Sequence, residues 1–338
     1  MKMIKDKLER QFEYLRISVT DKCNFRCIYC MPKEIFGSKH QFLKKNELLT
    51  YEEIIEVAKT LKPFGLKKIR LTGGEPLLRK NIEYLVEGLK KDALIDEVMI
   101  TTNGSLLTKE KLISLKKSGL DSVTISLDAS SKKVRNIMNP VNSNHVLVSE
   151  AIDNVITIFD SVKVNMVVIK GINDKEIIPM LEKFLDKNIE LRFIEYMDVG
   201  ESNNWSLDNV FTSKETKGLI EKYFSLKKIP DLIDSTSEKW AIDNYTLNVA
   251  FISSISKPFC SECNRGRLSA NGNFYTCLFS EKPYDFSSYF RNKENNLSFN
   301  NYFTKVWSNR DDQYSQLRFI SKPGKNKKNK VEMSYIGG

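Results

Sequence analysis

The chain has 338 residues, of which 41% are hydrophobic and 28% charged, and it carries a formal net charge of +10. No apolar run approaches the ~20 residues that a helix needs to span a bilayer, and residues 1–10 lack the apolar core of a secretory signal. Composition therefore predicts a cytoplasmic protein without a membrane partner. The positive charge could serve nucleic acid or a highly charged small substrate, but most lysines are scattered, as on a solvated surface.

Hydrophobic periodicity predicts strands that alternate with helices. Residues 14–20 alternate apolar and polar side chains and form the first predicted strand. A capping box at Thr50 and Glu53 starts a helix, and Gly65 ends it. Six βα units predict a parallel sheet, either a barrel or an open doubly wound sheet, with its chemistry at the C-terminal strand ends. The other five predicted strands are residues 68–72, 97–101, 122–127, 163–168 and 190–194.

Three cysteines follow the first predicted strand at a C-x3-C-x2-C spacing, namely Cys23, Cys27 and Cys30. Cysteine thiolates hold 4Fe-4S clusters, and three of them leave one of the four irons without a protein ligand. Substrate chemistry can take place on such an open iron. A zinc knuckle or buried structural thiols remain the alternatives.

Small and polar residues follow the later predicted strands. Gly73-Gly74-Glu75-Pro76 comes directly after the second one, where two glycines would let a ligand approach the backbone and Glu75 could accept from an ammonium group. The alternative is an ordinary βα turn. Residues 101–104 and 126–129 offer further small polar side chains, but neither a dinucleotide fingerprint nor a Walker A loop occurs.

The second half of the chain changes character after a polar stretch at residues 230–239. Residues 245–253 are predicted to be an isolated strand, and we place a domain boundary between residues 230 and 231. The remaining cysteines, Cys260, Cys263 and Cys277, form a C-x2-C-x13-C set. An Asn271-Gly272 turn in between predicts a hairpin that returns Cys277 to the pair. A second three-cysteine cluster is the preferred interpretation, and a zinc site completed by a distant ligand is the alternative.

With its two cysteine sets on six βα units, the chain resembles the radical S-adenosylmethionine (SAM) superfamily and, within it, the GTP 3′,8-cyclase (MoaA) family of molybdenum cofactor biosynthesis. This resemblance implies a lyase with an incomplete (β/α)6 barrel, a C-terminal extension and two 4Fe-4S clusters. Segments 138–141 and 235–245 depart from the family pattern. The motifs that carry the resemblance are residues 15–22, 23–30, 69–76, 101–104, 126–129, 162–165, 192–197, 264–268 and 337–338.

The resemblance also implies the roles of individual residues. Reduction of the first cluster would split SAM to a 5′-deoxyadenosyl radical, which would take the C3′ hydrogen of GTP. The second cluster would orient the purine, and Gly337 and Gly338 would insert beside the triphosphate, held by a basic residue such as Arg16. The SAM site is expected at Tyr29, Gly74, Glu75, Ser126 and Met197. The GTP site is expected at Arg16, Arg70, Thr101, Lys163, Arg265 and Arg267.

The family further implies an electron donor such as flavodoxin or ferredoxin. It also implies that the product passes to a downstream cyclic pyranopterin monophosphate synthase. A homodimer is possible, but the sequence does not decide the oligomeric state. Two other functions compete with this one. A peptide-modifying radical SAM enzyme would usually offer more cysteines in its C-terminal part. A zinc-dependent nucleic-acid-binding protein would use the basic charge, including the five lysines of residues 322–330, but no recognition motif accompanies them, so no nucleic-acid partner is expected.

Overall fold

A computed structural model describes residues 3–141, 145–230, 236–291, 296–318 and 330–337. In this part of the chain one sheet contains twelve strands. Six of them correspond to the strands predicted from periodicity, with ends that differ by at most two residues. The strands are β1 (Tyr14–Ser18), β2 (Lys68–Thr72), β3 (Glu97–Thr102), β4 (Ser122–Ser126), β5 (Val162–Val168), β6 (Glu190–Glu195), β7 (Leu226–Lys228), β8 (Glu238–Ile242), β9 (Asn248–Ile252), β10 (Arg265–Leu268), β11 (Asn273–Tyr275) and β12 (Tyr284–Asp285).

The first six strands are adjacent and parallel in chain order. Among the described residues the full order is β12-β11-β10-β1-β2-β3-β4-β5-β6-β9-β8-β7, and no hydrogen bonds between the two edge strands close the sheet. The predicted α/β fold with an incomplete six-stranded barrel is confirmed.

The strand predicted at residues 245–253 is present as β9, but the prediction that it is isolated is wrong. β9 pairs in parallel with β6 and antiparallel with β8, and β10 pairs in parallel with β1. The C-terminal region thus extends both edges of the same sheet, which satisfies backbone groups that an isolated strand would leave unpaired. The predicted boundary after residue 230 falls in the connection between β7 and β8 and stays a prediction.

Helices follow most of the parallel strands. The capping box at Thr50 is confirmed, since its side chain accepts from Glu53 N and the Glu53 carboxylate accepts from Thr50 N. No helix of the described ranges combines the length and apolar composition that crossing a bilayer requires. The helices are α1 (Tyr51–Leu61), α2 (Ile82–Lys91), α3 (Lys109–Lys117), α4 (Lys132–Met138), α5 (His145–Ile158), α6 (Ile177–Phe184), α7 (Ser213–Ile220), α8 (Ser287–Arg291), α9 (Asn296–Ser308), α10 (Tyr314–Leu317) and α11 (Met333–Ile336).

Alternation along the strands separates an apolar face from a polar one. In β1 the side chains of Leu15 and Ile17 are fully buried in the main hydrophobic core. Successive strand residues point to opposite faces, so Tyr14 and Arg16 lie on the other face of β1. The polar side chains of neighbouring strands meet on that face, which holds the candidate site.

Candidate active site

The first cysteine loop begins five residues after β1 ends. Cys23, Cys27 and Cys30 are half-buried, and a turn brings Cys30 N and Met31 N onto Cys27 O at 3.0 and 2.9 Å. Burial, followed by nearby negative groups, raises the pKa of Cys23 to about 11, and burial also raises the pKa values of Cys27 and Cys30. Thiolates in this setting need a compensating cation, so the donor set fits an iron cluster.

Arg26 and the end of α4 hold this loop in place. The Arg26 guanidinium donates to Cys23 O at 2.7 Å and to Phe36 O at 2.7 Å. Arg26 N donates to Asn139 Oδ1 at 2.8 Å, and Ile28 N donates to Met138 O at 3.0 Å. The segment that departs from the family pattern therefore supports the backbone of the cysteine loop, a role with no local signal in the sequence.

The two glycines after β2 are packed against the same loop. A Cβ on Gly74 would lie 2.2 Å from Lys22 O, and one on Gly73 would lie 2.3 Å from Thr20 O. The two glycines were predicted to let a ligand come close to the backbone. In the structure, the backbone of the cysteine loop also comes close to them. A SAM contact at Gly74 stays a prediction.

Glu75 connects the ends of β2 and β3. Its buried carboxylate accepts from Leu77 N at 3.1 Å, Thr102 Oγ1 at 2.7 Å and Asn103 N at 2.8 Å. Burial raises the pKa of Glu75 to about 7, although these hydrogen bonds oppose the shift. A contact between Glu75 and the SAM ammonium group stays a prediction.

Other predicted SAM residues meet beside the cysteine loop. Tyr29 and Met197 line one small cavity together with Met333 from the C-terminal tail. The Tyr29 hydroxyl donates to Asp128 Oδ2 at 3.0 Å, and burial raises the pKa of Asp128 to about 6. Ser126 lies two residues before Asp128 at the end of β4.

Arginines form a row across three adjacent strands. Arg16 pairs in register with Arg267 of β10 on one side and with Arg70 of β2 on the other. Arg70 Nη1 donates to Thr101 Oγ1 at 3.2 Å and to Thr124 Oγ1 at 2.8 Å. This row concentrates positive charge in a buried setting, which suits a polyanionic ligand.

Tyr14 and Lys163 belong to the same charged region. The Tyr14 hydroxyl accepts from Arg70 Nε at 2.5 Å. Burial opposes ionisation of Tyr14, but the nearby arginines outweigh it and lower its pKa to about 8. Burial, assisted by Arg192 and Arg70, lowers the pKa of Lys163 to about 8. Sequence reasoning missed Tyr14, although its place two residues before Arg16 could have indicated it.

The second cysteine set lies at the opposite end of the parallel strands. Cys260 and Cys263 precede β10, which runs parallel to β1, whereas the first cysteine loop follows β1. The predicted hairpin is confirmed, because β11 pairs antiparallel with β10 and ends two residues before Cys277. The arginine row therefore lies between the two cysteine sets. The prediction that the chemistry sits at the C-terminal strand ends holds for the first set and not for the second, which lies at the other end.

The thiols of the second set differ from those of the first in the direction of their pKa shifts. Burial raises the pKa of Cys277 to about 12. At Cys263 burial acts in the same direction, but Arg265 and Arg310 outweigh it and lower the pKa to about 6. Among the described residues, no three His, Cys, Asp or Glu side chains are arranged to hold a single metal ion. A second cluster fits these thiols and this positive charge, and its assignment rests on the cysteine spacing and the family.

The C-terminal tail enters the charged region. Ile336 is fully buried, and Gly337 O accepts from Arg267 Nη1. Gly337 has φ +77°, and a Cβ there would lie 2.3 Å from Thr72 Cγ2. Gly338 lies outside the described residues. Arg267 thus donates to the backbone of the tail, and a contact between the tail and Arg16 stays a prediction.

Three further residues anchor the tail. Glu332 accepts from Ser202 Oγ at 2.7 Å and from Glu201 N at 3.0 Å. Tyr335 donates to Asn271 Oδ1 at 2.7 Å. Lys330 Nζ lies 3.0 Å from Asp198 Oδ2. The tail therefore joins the loop after β6 to the hairpin of the second cysteine set.

Comparison with known proteins identifies the fold class first. Residues 17–184 match the family model described as the radical SAM superfamily, and residues 189–316 match the one described as Molybdenum Cofactor Synthesis C. The structure of Streptococcus suis SuiB bound to S-adenosylmethionine is similar in fold, with a TM-score of 0.64 at 16% identity over 95% of this chain and 71% of that one. The fold and the three-cysteine loop define a radical SAM protein, whose cofactors are SAM and an iron–sulfur cluster.

Full-length relatives narrow the class to a family. A GTP 3′,8-cyclase of Staphylococcus epidermidis is 44% identical over 338 residues, which cover 99% of each chain. One from Staphylococcus aureus strain MRSA252 is 42% identical over 340 residues and covers all of both chains. The chain belongs to the GTP 3′,8-cyclase family.

Proposed function

We propose that the chain is a radical SAM lyase that converts GTP to 3′,8-cyclo-7,8-dihydro-GTP, the first step of molybdenum cofactor biosynthesis. The observation that carries this proposal is the arginine row between the two cysteine sets, in a chain 44% identical to a GTP 3′,8-cyclase. A nucleoside triphosphate without a P-loop needs such charge-assisted donors. The likeness to SuiB concerns the fold alone and does not favour a peptide substrate.

The residues at the C-terminal strand ends would hold the first cluster and SAM. Cys23, Cys27 and Cys30 supply the cluster thiolates. When bound, the cluster and SAM would supply radical chemistry through a 5′-deoxyadenosyl group. Tyr29 and Met197, which lie together at the small cavity beside this loop, would contact SAM. The remaining predicted SAM contacts are Gly74, Glu75 and Ser126.

The charged interior would hold GTP. Arg16, Arg70 and Arg267 would contact the triphosphate, and Thr101 would add a further nucleotide contact. Arg265 lies beside Cys263, as its electrostatic interaction with that thiol shows. The second cluster, on Cys260, Cys263 and Cys277, would orient the purine. With the ribose held between the two ends of the strands, the protein supplies position and shielding.

Turnover of the anaerobically reconstituted chain tests this function. With SAM, GTP and a chemical reductant, we expect 5′-deoxyadenosine together with cyclised GTP, and about eight irons per chain. Stoichiometric zinc without iron would favour the zinc alternative. Cleavage of SAM without any GTP product, with two intact clusters, would contradict the substrate assignment. The electron donor, the downstream synthase, a homodimer and the cytoplasmic location stay predictions.

Replacing Arg265 and Arg267 together with alanine should weaken GTP binding about a hundredfold or more. β10 is extended, so both side chains lie on one face, while Gly266 packs against Phe274 on the other. Hydrogen bonds to charged groups contribute about 1.5 to 3 kcal/mol each. Calorimetry measures the dissociation constant, and iron content reports whether both clusters persist. Lys68→Ala, an exposed position on β2, is the matched control, and an unchanged dissociation constant in the double variant would refute the assignment.

GTP affinity should fall as pH rises from 7 to 9. The pKa of Lys163 is lowered to about 8, so the ammonium is charged below that pH and neutral above it. Bound phosphate favours the charged form, so loss of the proton should weaken binding by up to about tenfold per pH unit above pH 8. Tyr14, with a pKa of about 8, would act in the same direction when it ionises.

Two variants separate these contributions to the pH dependence. Lys163→Arg keeps its charge throughout the range and should flatten the profile. Tyr14→Phe should remove only the part of the pH dependence that ionisation of the Tyr14 phenol causes. If the wild-type dissociation constant does not change across this range, neither group contacts the triphosphate.

A further inference from the structure

Two buried arginines hold the backbone of every segment that carries a cysteine of the second set. Arg10 Nη1 donates to Cys260 O at 2.6 Å. Arg310 Nη1 donates to Cys263 O at 2.8 Å, and Arg310 Nε donates to Thr276 O at 3.0 Å, one residue before Cys277. All three cysteine positions are thereby tied to two guanidinium groups.

Asp6 links the two arginines. Its Oδ2 accepts from Arg10 Nε at 2.7 Å and from Arg310 Nη1 at 2.8 Å. The exposed fractions of these side chains are 0% for Asp6, 2% for Arg10 and 1% for Arg310. Asp6 Oδ1 accepts from Leu8 N at 2.9 Å and from Arg10 N at 3.0 Å, which fixes the N-terminal segment around the carboxylate.

Stability alone does not account for this arrangement. A buried ion pair costs desolvation, and a hydrophobic replacement of similar volume is often at least as stable. Arginine differs from apolar residues in offering several donors in a rigid fork. Arg310 uses that fork to join Cys263 O, which precedes β10, and Thr276 O, which follows β11. The ion pair with Asp6 holds the Arg310 guanidinium at the position from which it reaches both carbonyls.

We propose that Asp6, Arg10 and Arg310 are positioning residues for the second cluster. They fix the three cysteine-bearing segments relative to one another, so that the thiols are arranged before the cluster binds. The N-terminal segment is then part of the cluster site, although residues 6 and 10 precede both regions that match the family models. This inference rests on the second cluster of the proposed function.

Iron content and spectroscopy of the full-length chain test the inference. In Asp6→Asn the two guanidinium groups lose their shared counter-charge, so we expect iron to fall from about eight to about four per chain. The electron paramagnetic resonance signal of the reduced second cluster should disappear, while the signal of the first and SAM cleavage remain. Arg310→Lys keeps a positive charge but loses the fork, so the signal of the second cluster should shift or weaken.

Lys7→Gln is the matched control. Lys7 lies on the same N-terminal segment and pairs with Asp311, next to Arg310, at 3.3 Å, but both side chains are more than half exposed. Loss of this surface pair should change neither iron content nor the spectra. The control separates a general loosening of the two segments from an effect on the cysteine carbonyls.

A chain carrying Cys23→Ala, Cys27→Ala and Cys30→Ala gives a second measurement, because its iron belongs to the second set alone. About four irons are expected there, and fewer than half as many after Asp6→Asn. Unchanged iron and spectra in both Asp6→Asn and Arg310→Lys would overturn the inference, as would loss of both clusters together, which indicates general unfolding. If the chain with only the second set binds no iron at all, the second cluster of the proposed function fails instead.

Discussion

Cys23→Ala should abolish SAM cleavage, whereas Cys260→Ala should keep part of that cleavage and lose GTP cyclisation. The two cysteine sets lie at opposite ends of the parallel strands, with the arginine row between them. Each set can therefore lose its cluster while the other keeps its ligands. The first loop contains Tyr29, which lies beside Met197 where SAM is expected, and the second set lies beside Arg265 on the GTP side.

Both cysteine variants should lose about four of eight irons, so iron content alone does not separate their roles. The informative measurement is 5′-deoxyadenosine, quantified with and without GTP. Cys23→Ala should produce none in either case. In Cys260→Ala the nucleoside should form without an equivalent amount of cyclised GTP. Formation of 5′-deoxyadenosine by Cys23→Ala would contradict the assignment of the first set.

Elements governed by neighbouring residues could be predicted from the sequence. The alternation in β1, the capping box of α1 and the hairpin around Asn271-Gly272 all depend on side chains within a few residues of one another. The cysteine spacings belong to the same class, because three thiols in eight residues must share one loop. Local chemistry fixes these features whatever the rest of the chain does.

Contacts between distant parts of the chain could not be predicted in the same way. β10 pairs with β1, although some 250 residues separate them in the chain. Nothing in the sequence of residues 265–268 indicates which edge of the sheet this strand joins. The ion pair between Asp6 and Arg310 spans 304 positions. The glycines after β2 show a related difficulty. Another group does come close to their backbone, as predicted, but one such group is the chain itself and not a ligand.

Family resemblance supplied what local patterns could not. The residues expected to bind GTP lie on β1, β2, β3, β5 and β10, and periodicity alone would not have grouped them. The structure brings Arg16, Arg70 and Arg267 side by side. It adds Tyr14 at the same place, because a residue two positions from Arg16 in a strand must lie on the same face.

Deletion of Gly337 and Gly338 should reduce cyclised GTP to background while iron content and uncoupled SAM cleavage stay near normal. Most C-termini are frayed and dispensable, but Ile336 is fully buried and Gly337 O accepts from Arg267 within the charged region. The deletion removes this contact and leaves both cysteine sets intact. We therefore expect a loss of positioning at the GTP site without a loss of either cluster.

A substitution at Gly337 tests whether the tail requires a glycine at this position or only a residue of any kind. Gly337→Ala keeps the chain length but places a Cβ 2.3 Å from Thr72 Cγ2 at a φ of +77°, so it should also lower cyclised GTP strongly. Tyr335→Phe removes only the hydrogen bond to Asn271 and serves as the control, with a small effect expected. The ratio of cyclised GTP to 5′-deoxyadenosine is the quantity to measure, because a tail that positions GTP changes this ratio, whereas a tail that only stabilises the fold lowers both products together. If the truncated chain makes cyclised GTP at nearly the full-length rate, the tail has no part in the reaction.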